Sequence, residues 1–168
     1  NVNDGVELYS VFRDWNLRAF VSQTIPHEDN VDTSVPGWKK ENDRTYYALE
    51  ATFLGISDHG VYGYILIQRD NTNPEPEDHL HSYTYNSEYL GLGSQGKLTP
   101  QTHYWAEIIK ESGRSRIYDT AEKRRIDAWA GDFGVSYDWQ VYSHPNLSIE
   151  YAFGSGDSSR TSVTDTQG

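Results

Sequence analysis

The 168-residue chain combines a low hydrophobic fraction, 36%, with a high aromatic fraction, 14%, and a formal net charge of −11. So many aromatic side chains argue against disorder, and the negative charge argues against nucleic-acid binding, because a phosphate-binding surface needs positive charge. The chain has no cysteine, which excludes disulfides, thiolate metal sites and a cysteine nucleophile. Because no run of roughly 18 apolar residues occurs, no transmembrane helix is expected. A polar but aromatic-rich chain favours β-structure in which every second residue meets water.

Alternation of apolar and polar residues with a period of two predicts seven strands and no helix. Between Thr45 and Phe53, for example, Leu49 falls on an apolar face and Glu50 on a polar face. We expect a phase slip, and hence a β-bulge, near Gly91 or Gly93. The pattern predicts an all-β fold, an antiparallel up-and-down meander of about seven strands. The predicted strands are Leu17–Ile25, Thr45–Phe53, Val61–Arg69, Tyr83–Ser94, Tyr104–Glu111, Asp127–Trp139 and Leu147–Phe153.

The connections between the predicted strands alternate in length. Short ones lie at residues 57–60, 99–101 and 140–146, and long polar ones at 26–43, 70–79, 113–124 and in the tail from residue 155. In a meander this alternation places all short turns at one end of the sheet. Short periplasmic turns and long external loops are typical of bacterial outer-membrane barrels.

Aromatic residues concentrate near both ends of the predicted strands. Rings at the two edges of an apolar band form the interfacial girdles of a transmembrane barrel, so the positions predict a strand-built membrane protein. The residues near the short turns are Tyr62, Tyr64, Tyr104, Trp105, Tyr137 and Trp139, and those near the long loops are Tyr46, Tyr47, Tyr83, Tyr85, Tyr151 and Phe153.

Short motifs across most of the chain resemble the alginate-export family of outer-membrane proteins. Residues 149–157, a Tyr-Ala-aromatic strand that runs into Ser-Gly-Asp, resemble the strand-and-loop signature of that family, and residues 126–137 resemble the strand before it. Leu17–Val21, followed by an acidic loop and Thr45–Leu49, is similar to another hairpin of the family. The resemblance implies a monomeric barrel of about eighteen strands with a polar lumen through which a solute passes without chemistry.

Seven strands cannot close such a barrel, and closed bacterial barrels normally have an even strand number. We therefore expect residues 1–168 to be one segment of an outer-membrane barrel, incomplete at both ends. The start of the chain at Asn1, without a signal peptide, agrees with that expectation.

The faces that we assign to the lumen carry one arginine and several carboxylates. The family moves an anionic polysaccharide through a lumen rich in arginine, whereas a carboxylate-lined wall favours cations or neutral sugars. The predicted pore-lining residues are Arg18, Glu50, Glu107, Asp132 and Glu150.

No motif for catalysis, a cofactor or a metal is recognised, so we expect a protein that is not an enzyme and that has neither cofactor nor metal. Glu50, Glu107 and Glu150 have the residue type of glycosidase carboxylates, but a lumen needs such groups merely to stay wet. Two acidic loops, residues 28–32 and 75–81, contain oxygen and imidazole groups that can bind Ca²⁺ or a transition metal; solvated charge is the simpler interpretation.

The expected partners are the lipid bilayer with its lipopolysaccharide, which the basic cluster at residues 123–125 could contact, and a polar or sugar-like solute. Two rival hypotheses remain open. One is a soluble secreted β-sandwich that binds carbohydrate through exposed aromatic rings. The other is an outer-membrane structural or adhesive barrel that does not conduct.

Overall fold

The computed structural model describes residues 3–24, 43–71, 84–116 and 123–155, which form a single eight-stranded sheet. The strands are β1 (Asn3–Phe12), β2 (Trp15–Thr24), β3 (Arg44–Ile56), β4 (His59–Asp70), β5 (Thr84–Thr99), β6 (Thr102–Arg116), β7 (Lys123–Asp138) and β8 (Asn146–Gly154). Each strand pairs antiparallel with the next one in the chain, and within these residues β1 and β8 are the two open edges. The all-β antiparallel meander predicted from the sequence is confirmed. No helix in the described ranges is long and apolar enough to span a membrane.

The predicted number of seven strands is wrong, because β1 was missed. This strand pairs with β2 along its whole length through a two-residue turn at Arg13 and Asp14. Asp4 and Gly5 weaken the apolar alternation at the start of β1. The turn also lacks glycine, since Arg13 itself adopts the positive φ of 53° that glycine or asparagine usually supplies.

The predicted phase slip near Gly91 and Gly93 is also wrong. The register of β5 is continuous through both glycines on both of its neighbours. The irregularities lie nearer the short turns, between Phe53 and Ile56 in β3 and between Lys97 and Thr99 in β5. The two glycines instead leave space for aromatic rings of β4, Tyr64 over Gly91 and Tyr62 over Gly93.

The register divides the sheet into an apolar face and a polar face, because directly paired residues share a face. Side chains of the apolar face stay largely exposed: Leu8 is 70% exposed, Leu49 56% and Ile149 64%. The apolar face includes Leu8, Leu17, Leu49, Ile65, Leu92, Ile108, Phe133 and Ile149.

Buried side chains are few and lie at the long-connection end of the polar face. Ile126 and Ala128 are the buried hydrophobic residues of the part that the structure describes. A β-sandwich instead buries one face of each sheet against the other. The hypothesis of a soluble sandwich is therefore wrong, because the described strands form one layer whose apolar face is open.

The short turns lie at one end of the sheet, as the alternating connection lengths predicted. They occupy residues 13–14, 57–58, 100–101 and 139–145. Two of these turns are each joined by a backbone hydrogen bond to the strand that follows the hairpin. Leu54 N in β3 donates to Asp14 O at 2.7 Å, and Lys97 N in β5 donates to Asp58 O at 2.9 Å. We call this end the short-turn end; the opposite end is the long-connection end.

Candidate functional site on the polar face

All five residues predicted from the sequence to line a pore lie on the polar face of the sheet. Arg18 in β2 pairs with Glu50 in β3, and Glu107 in β6 pairs with Asp132 in β7. Glu150 in β8 follows on the same face, where it is exposed to solvent. The structure thus brings the five residues into two groups, separated by the aromatic side chains of β4.

The first group surrounds Arg18. Its guanidinium donates two hydrogen bonds to Glu7, from Nε to Oε1 at 2.8 Å and from Nη2 to Oε2 at 3.1 Å. Glu50 lies directly opposite Arg18 and accepts a 3.4 Å hydrogen bond from the Thr52 hydroxyl. Two carboxylates thus surround one cation. A concavity of about 300 Å³ opens beside them, lined by Arg18, Phe20, Ala48, Glu50, Tyr64 and Leu66.

Glu7 was missed as a site residue because β1 was missed as a strand. With β1 in place, Glu7 falls on the polar face, directly opposite Phe20 of β2. Both members of the Glu7–Arg18 ion pair remain about half exposed. Glu7 therefore neutralises the charge of Arg18 while both side chains stay in contact with water.

The second group centres on Glu107, which accepts hydrogen bonds from two tyrosines of β4. The Tyr62 hydroxyl donates to Oε2 at 2.9 Å, and the Tyr64 hydroxyl donates to Oε1 at 2.6 Å. To reach across β5, the rings lie over Gly93 and Gly91, where a Cβ would come within 2.2 Å of a ring carbon. The prediction that Tyr62 and Tyr64 belong to an interfacial girdle is wrong, since both rings lie on the polar face.

Trp105 repeats this arrangement one strand pair further along. Its indole lies over Gly134 of β7, where a Cβ would come within 1.9 Å of the ring, so Trp105 also belongs to the polar face and not to a girdle. Bulky rings over glycines of the neighbouring strand tie the sheet together and restrain the rings sideways. The polar face therefore presents fixed aromatic surfaces between its carboxylates.

Like charges face each other at the centre of this second group. Glu107 and Asp132 are direct cross-strand partners, an arrangement that is unfavourable unless a cation or hydrogen-bond donor lies between them. Asp132 Oδ1 is buried without a hydrogen-bond partner among the described residues. Glu111 adds a further carboxylate on this face and accepts from the Tyr85 hydroxyl. The chemistry of the face is that of a surface for cations and hydroxyl groups.

The girdle prediction is also wrong for Tyr46 and Tyr85, which lie on the polar face. Tyr47, Tyr137, Tyr151 and Phe153 lie on the apolar face, as a girdle requires. Trp15 packs on Phe53 with ring centroids 4.9 Å apart, near the short-turn end of the apolar face. Tyr137 contacts Trp139 edge to face at 4.9 Å near the same end. The part of the chain that the structure describes contains no cluster of three or more potential metal-ligating side chains. The acidic loops at residues 28–32 and 75–81 lie outside the described residues.

The fold defines the class of protein as an outer-membrane β-barrel wall. Two solved structures of OmpT, an outer membrane protein of Vibrio cholerae, match with a TM-score of 0.56 each, over 90% of this chain. The loop L8 deletion mutant is 16% identical and matched over 47% of its length; the in-vitro folded trimer form is 17% identical and matched over 45%. The chain therefore spans about half the length of these structures, and at such low identity the likeness shows the fold alone.

The family follows from the sequence. The model of the family described as Alginate export matches residues 1–168, and the chain belongs to that family. Comparison with curated protein sequences finds no match. Family and fold together confirm the predicted resemblance and place the chain in the bacterial outer membrane, in contact with the lipid bilayer.

Proposed function

We propose that the chain forms part of the wall of an outer-membrane channel through which a polar solute diffuses passively, without catalysis. The observation that carries the proposal is the two-faced sheet. One face is apolar and exposed along every strand, as a lipid-facing surface must be, and the other carries solvated carboxylates. Membership of the Alginate export family and the barrel fold support the same role.

Residues 1–168 would be a segment of a larger barrel. In hydrocarbon, an unpaired strand edge costs about several kcal/mol for each polar backbone group, so β1 and β8 need further strands as partners. The matched structures, about twice the length of this chain, agree with a wall that continues beyond it. We propose a monomeric barrel, the state that the family resemblance implies. A trimer in light scattering, the form named for one matched OmpT structure, would contradict it.

The polar face would line the lumen and set its selectivity. Arg18 is already held by Glu7, whereas Glu107, Asp132 and Glu150 have no basic side chain as their direct cross-strand partner. Such a wall attracts cations and repels a polyuronate. The fixed rings of Tyr62 and Trp105 also offer flat surfaces on which a neutral sugar can stack. We therefore propose cations or neutral sugars, and not alginate itself, as the solutes favoured by this part of the wall.

Conductance of the full-length protein in planar bilayers tests the proposal. Under a salt gradient the parent is expected to prefer cations, and the double variant E50Q/E150Q is expected to shift the reversal potential toward zero. The matched control is Ser10→Gln, a polar substitution on the apolar-face side of β1. A reversal potential unchanged in E50Q/E150Q would remove these carboxylates from the pore wall. A folded protein without conductance would instead support the structural or adhesive barrel.

A further inference from the structure

The concavity beside Arg18 has an apolar floor, although it lies on the polar face. Phe20 in β2, Ala48 in β3 and Leu66 in β4 are successive cross-strand partners, and together they form this floor. All three side chains are partly buried. The volume of about 300 Å³ lies at the lower end of the range of small-molecule sites, about 300–1,000 Å³. The concavity therefore has room for one small ring.

Two features of the sheet keep the concavity open. Ala48 is the small side chain between Phe20 and Leu66, so the floor is lowest at its centre. Tyr64 leans away from β3, because its ring lies over Gly91 of β5 and its hydroxyl is hydrogen-bonded to a carboxylate of β6. Both features are present without a ligand, so a ligand that fits the concavity does not need to reorganise it.

The rim of the concavity offers a hydrogen-bond donor and an acceptor side by side, since Arg18 and Glu50 are direct cross-strand partners. Arg18 binds Glu7 through Nε and Nη2, and its Nη1 has no hydrogen-bond partner within the described ranges. Glu50 accepts from Thr52 on Oε1, and its Oε2 has no partner among the same residues. A planar guanidinium beside a planar carboxylate can bind two neighbouring hydroxyl groups of one ring.

This combination of groups matches a neutral sugar. A pyranose has an apolar ring face, which can pack on Phe20, and hydroxyl groups at its edge, which both donate and accept hydrogen bonds. The carboxylates of Glu7 and Glu50 outnumber the single cation of Arg18, so the charge at the rim is negative overall and repels the carboxylate of a uronate. A metal cation alone would gain nothing from the apolar floor.

We propose that the concavity binds one neutral hexopyranose unit. Phe20 packs against the face of the sugar ring, Arg18 Nη1 donates to one hydroxyl group, and Glu50 Oε2 accepts from its neighbour. The inference rests on the proposed function for the position of the concavity in the lumen, and it names a neutral sugar as the class of solute that binds there on its passage.

The test measures sugar binding to the full-length protein by saturation-transfer NMR, with the protein folded in a detergent that has no sugar headgroup. The probes are the methyl glycosides of glucose, mannose and galactose, and methyl glucuronide, which adds a carboxylate to the glucose ring. We expect saturable binding of at least one neutral glycoside, with saturation transferred to its ring hydrogens. Methyl glucuronide is expected to bind about 10-fold more weakly than that glycoside, because the rim is negative.

Substitutions in the floor of the concavity locate the binding. A48F fills the concavity and is expected to abolish saturable binding, whereas F20L keeps an apolar side chain without the flat ring and is expected to weaken binding about 5-fold. The matched controls make the same changes elsewhere. Phe12→Leu lies on the apolar face of β1, and Ala152→Phe is exposed on the polar face of β8. Both controls are expected to keep the affinity within about twofold of the parent, since neither residue lines the concavity.

The outcomes that contradict the proposal are distinct from those that contradict the channel. No saturable binding of any neutral glycoside, tighter binding of methyl glucuronide, or equal affinities in the parent and A48F would overturn the sugar site. If A48F does not fold in the heat-modified gel shift, F20L provides the same comparison. Conductance in planar bilayers is measured in parallel. A cation-selective channel that binds no sugar would overturn the sugar site alone, and a protein that binds sugar without conducting would overturn the channel alone.

Discussion

Tyr64 lies across Gly91 of the neighbouring strand and donates a 2.6 Å hydrogen bond to Glu107 one strand further on. The contact therefore links β4, β5 and β6 through a side chain, in addition to the backbone ladder. It requires glycine at position 91, because any Cβ there would occupy the space of the ring. The same carboxylate also holds Tyr62, so one residue orients two aromatic rings on the polar face.

Replacing Gly91 by alanine is expected to destabilise the sheet. The new Cβ would lie 2.2 Å from the Tyr64 ring, so the ring must leave and give up its hydrogen bond to Glu107. Overpacking of this kind costs about 1–3 kcal/mol. The free energy of unfolding, from reversible urea titration of the full-length protein in lipid vesicles, measures the loss. Gly154→Ala is the matched control, since a Cβ there meets nothing within 4 Å, and equal stabilities of the two variants would contradict the role of Gly91.

The hydrogen bond itself can be measured with a double-mutant cycle of Tyr64→Phe and Glu107→Gln. A phenol bound to a carboxylate is expected to give a coupling free energy of about 1 kcal/mol, because the site is partly open to water. The control cycle pairs Tyr64→Phe with Glu150→Gln, whose carboxylate is exposed on β8 two strands beyond Glu107. A coupling near zero in the first cycle, equal to that of the control, would show that Glu107 does not hold the ring.

The faces of most strands were predictable from sequence, because alternation needs only local residues. Leu49 and Glu50 fall on the faces that the period of two assigned to them, and so do Ile108 and Glu107. Once alternate residues of one strand are assigned to the apolar and polar faces, antiparallel pairing extends the same two faces to the neighbouring strands, because directly paired residues share a face. The placement of all five predicted site residues on one face follows from this.

The features that sequence reasoning missed depend on contacts between strands. Whether Tyr62 faces lipid or the polar side depends on the register of β4, and its role depends on Gly93, thirty-one positions later in the chain. Glu7 was missed because its strand begins with polar residues and enters a turn without glycine. The signal for the ring contacts was present as Gly-x-Gly in β5, but it is equally typical of a bulge.

Leu49→Arg tests the assignment of the apolar face to lipid. Arginine at the middle of a lipid-facing strand is expected to cost about 2–4 kcal/mol of barrel stability, because the charge must leave water. Thr52→Arg is the control, since Thr52 lies on the polar face of the same strand and its replacement keeps the charge in water. Urea titration in vesicles measures both variants. If they lost the same free energy, or if Leu49→Arg lost none, the face of β3 would not be the one in contact with lipid.

The Glu7–Arg18 pair tests whether the polar face lines the lumen. Neutralising each of the two residues is expected to shift the preference for cations in opposite directions. Both groups are exposed, so neutralising either one is expected to change stability little. Glu7→Gln removes a negative charge and releases the guanidinium, and it should lower the preference for cations. Arg18→Gln leaves Glu7 and Glu50 without their shared cation and should raise that preference. Reversal potentials of the full-length channel under a salt gradient measure both changes, and their size should shrink at high salt as the charges are screened. Shifts of the same sign in the two variants would mean that ions do not pass this pair, even if other carboxylates of the polar face lie in their path.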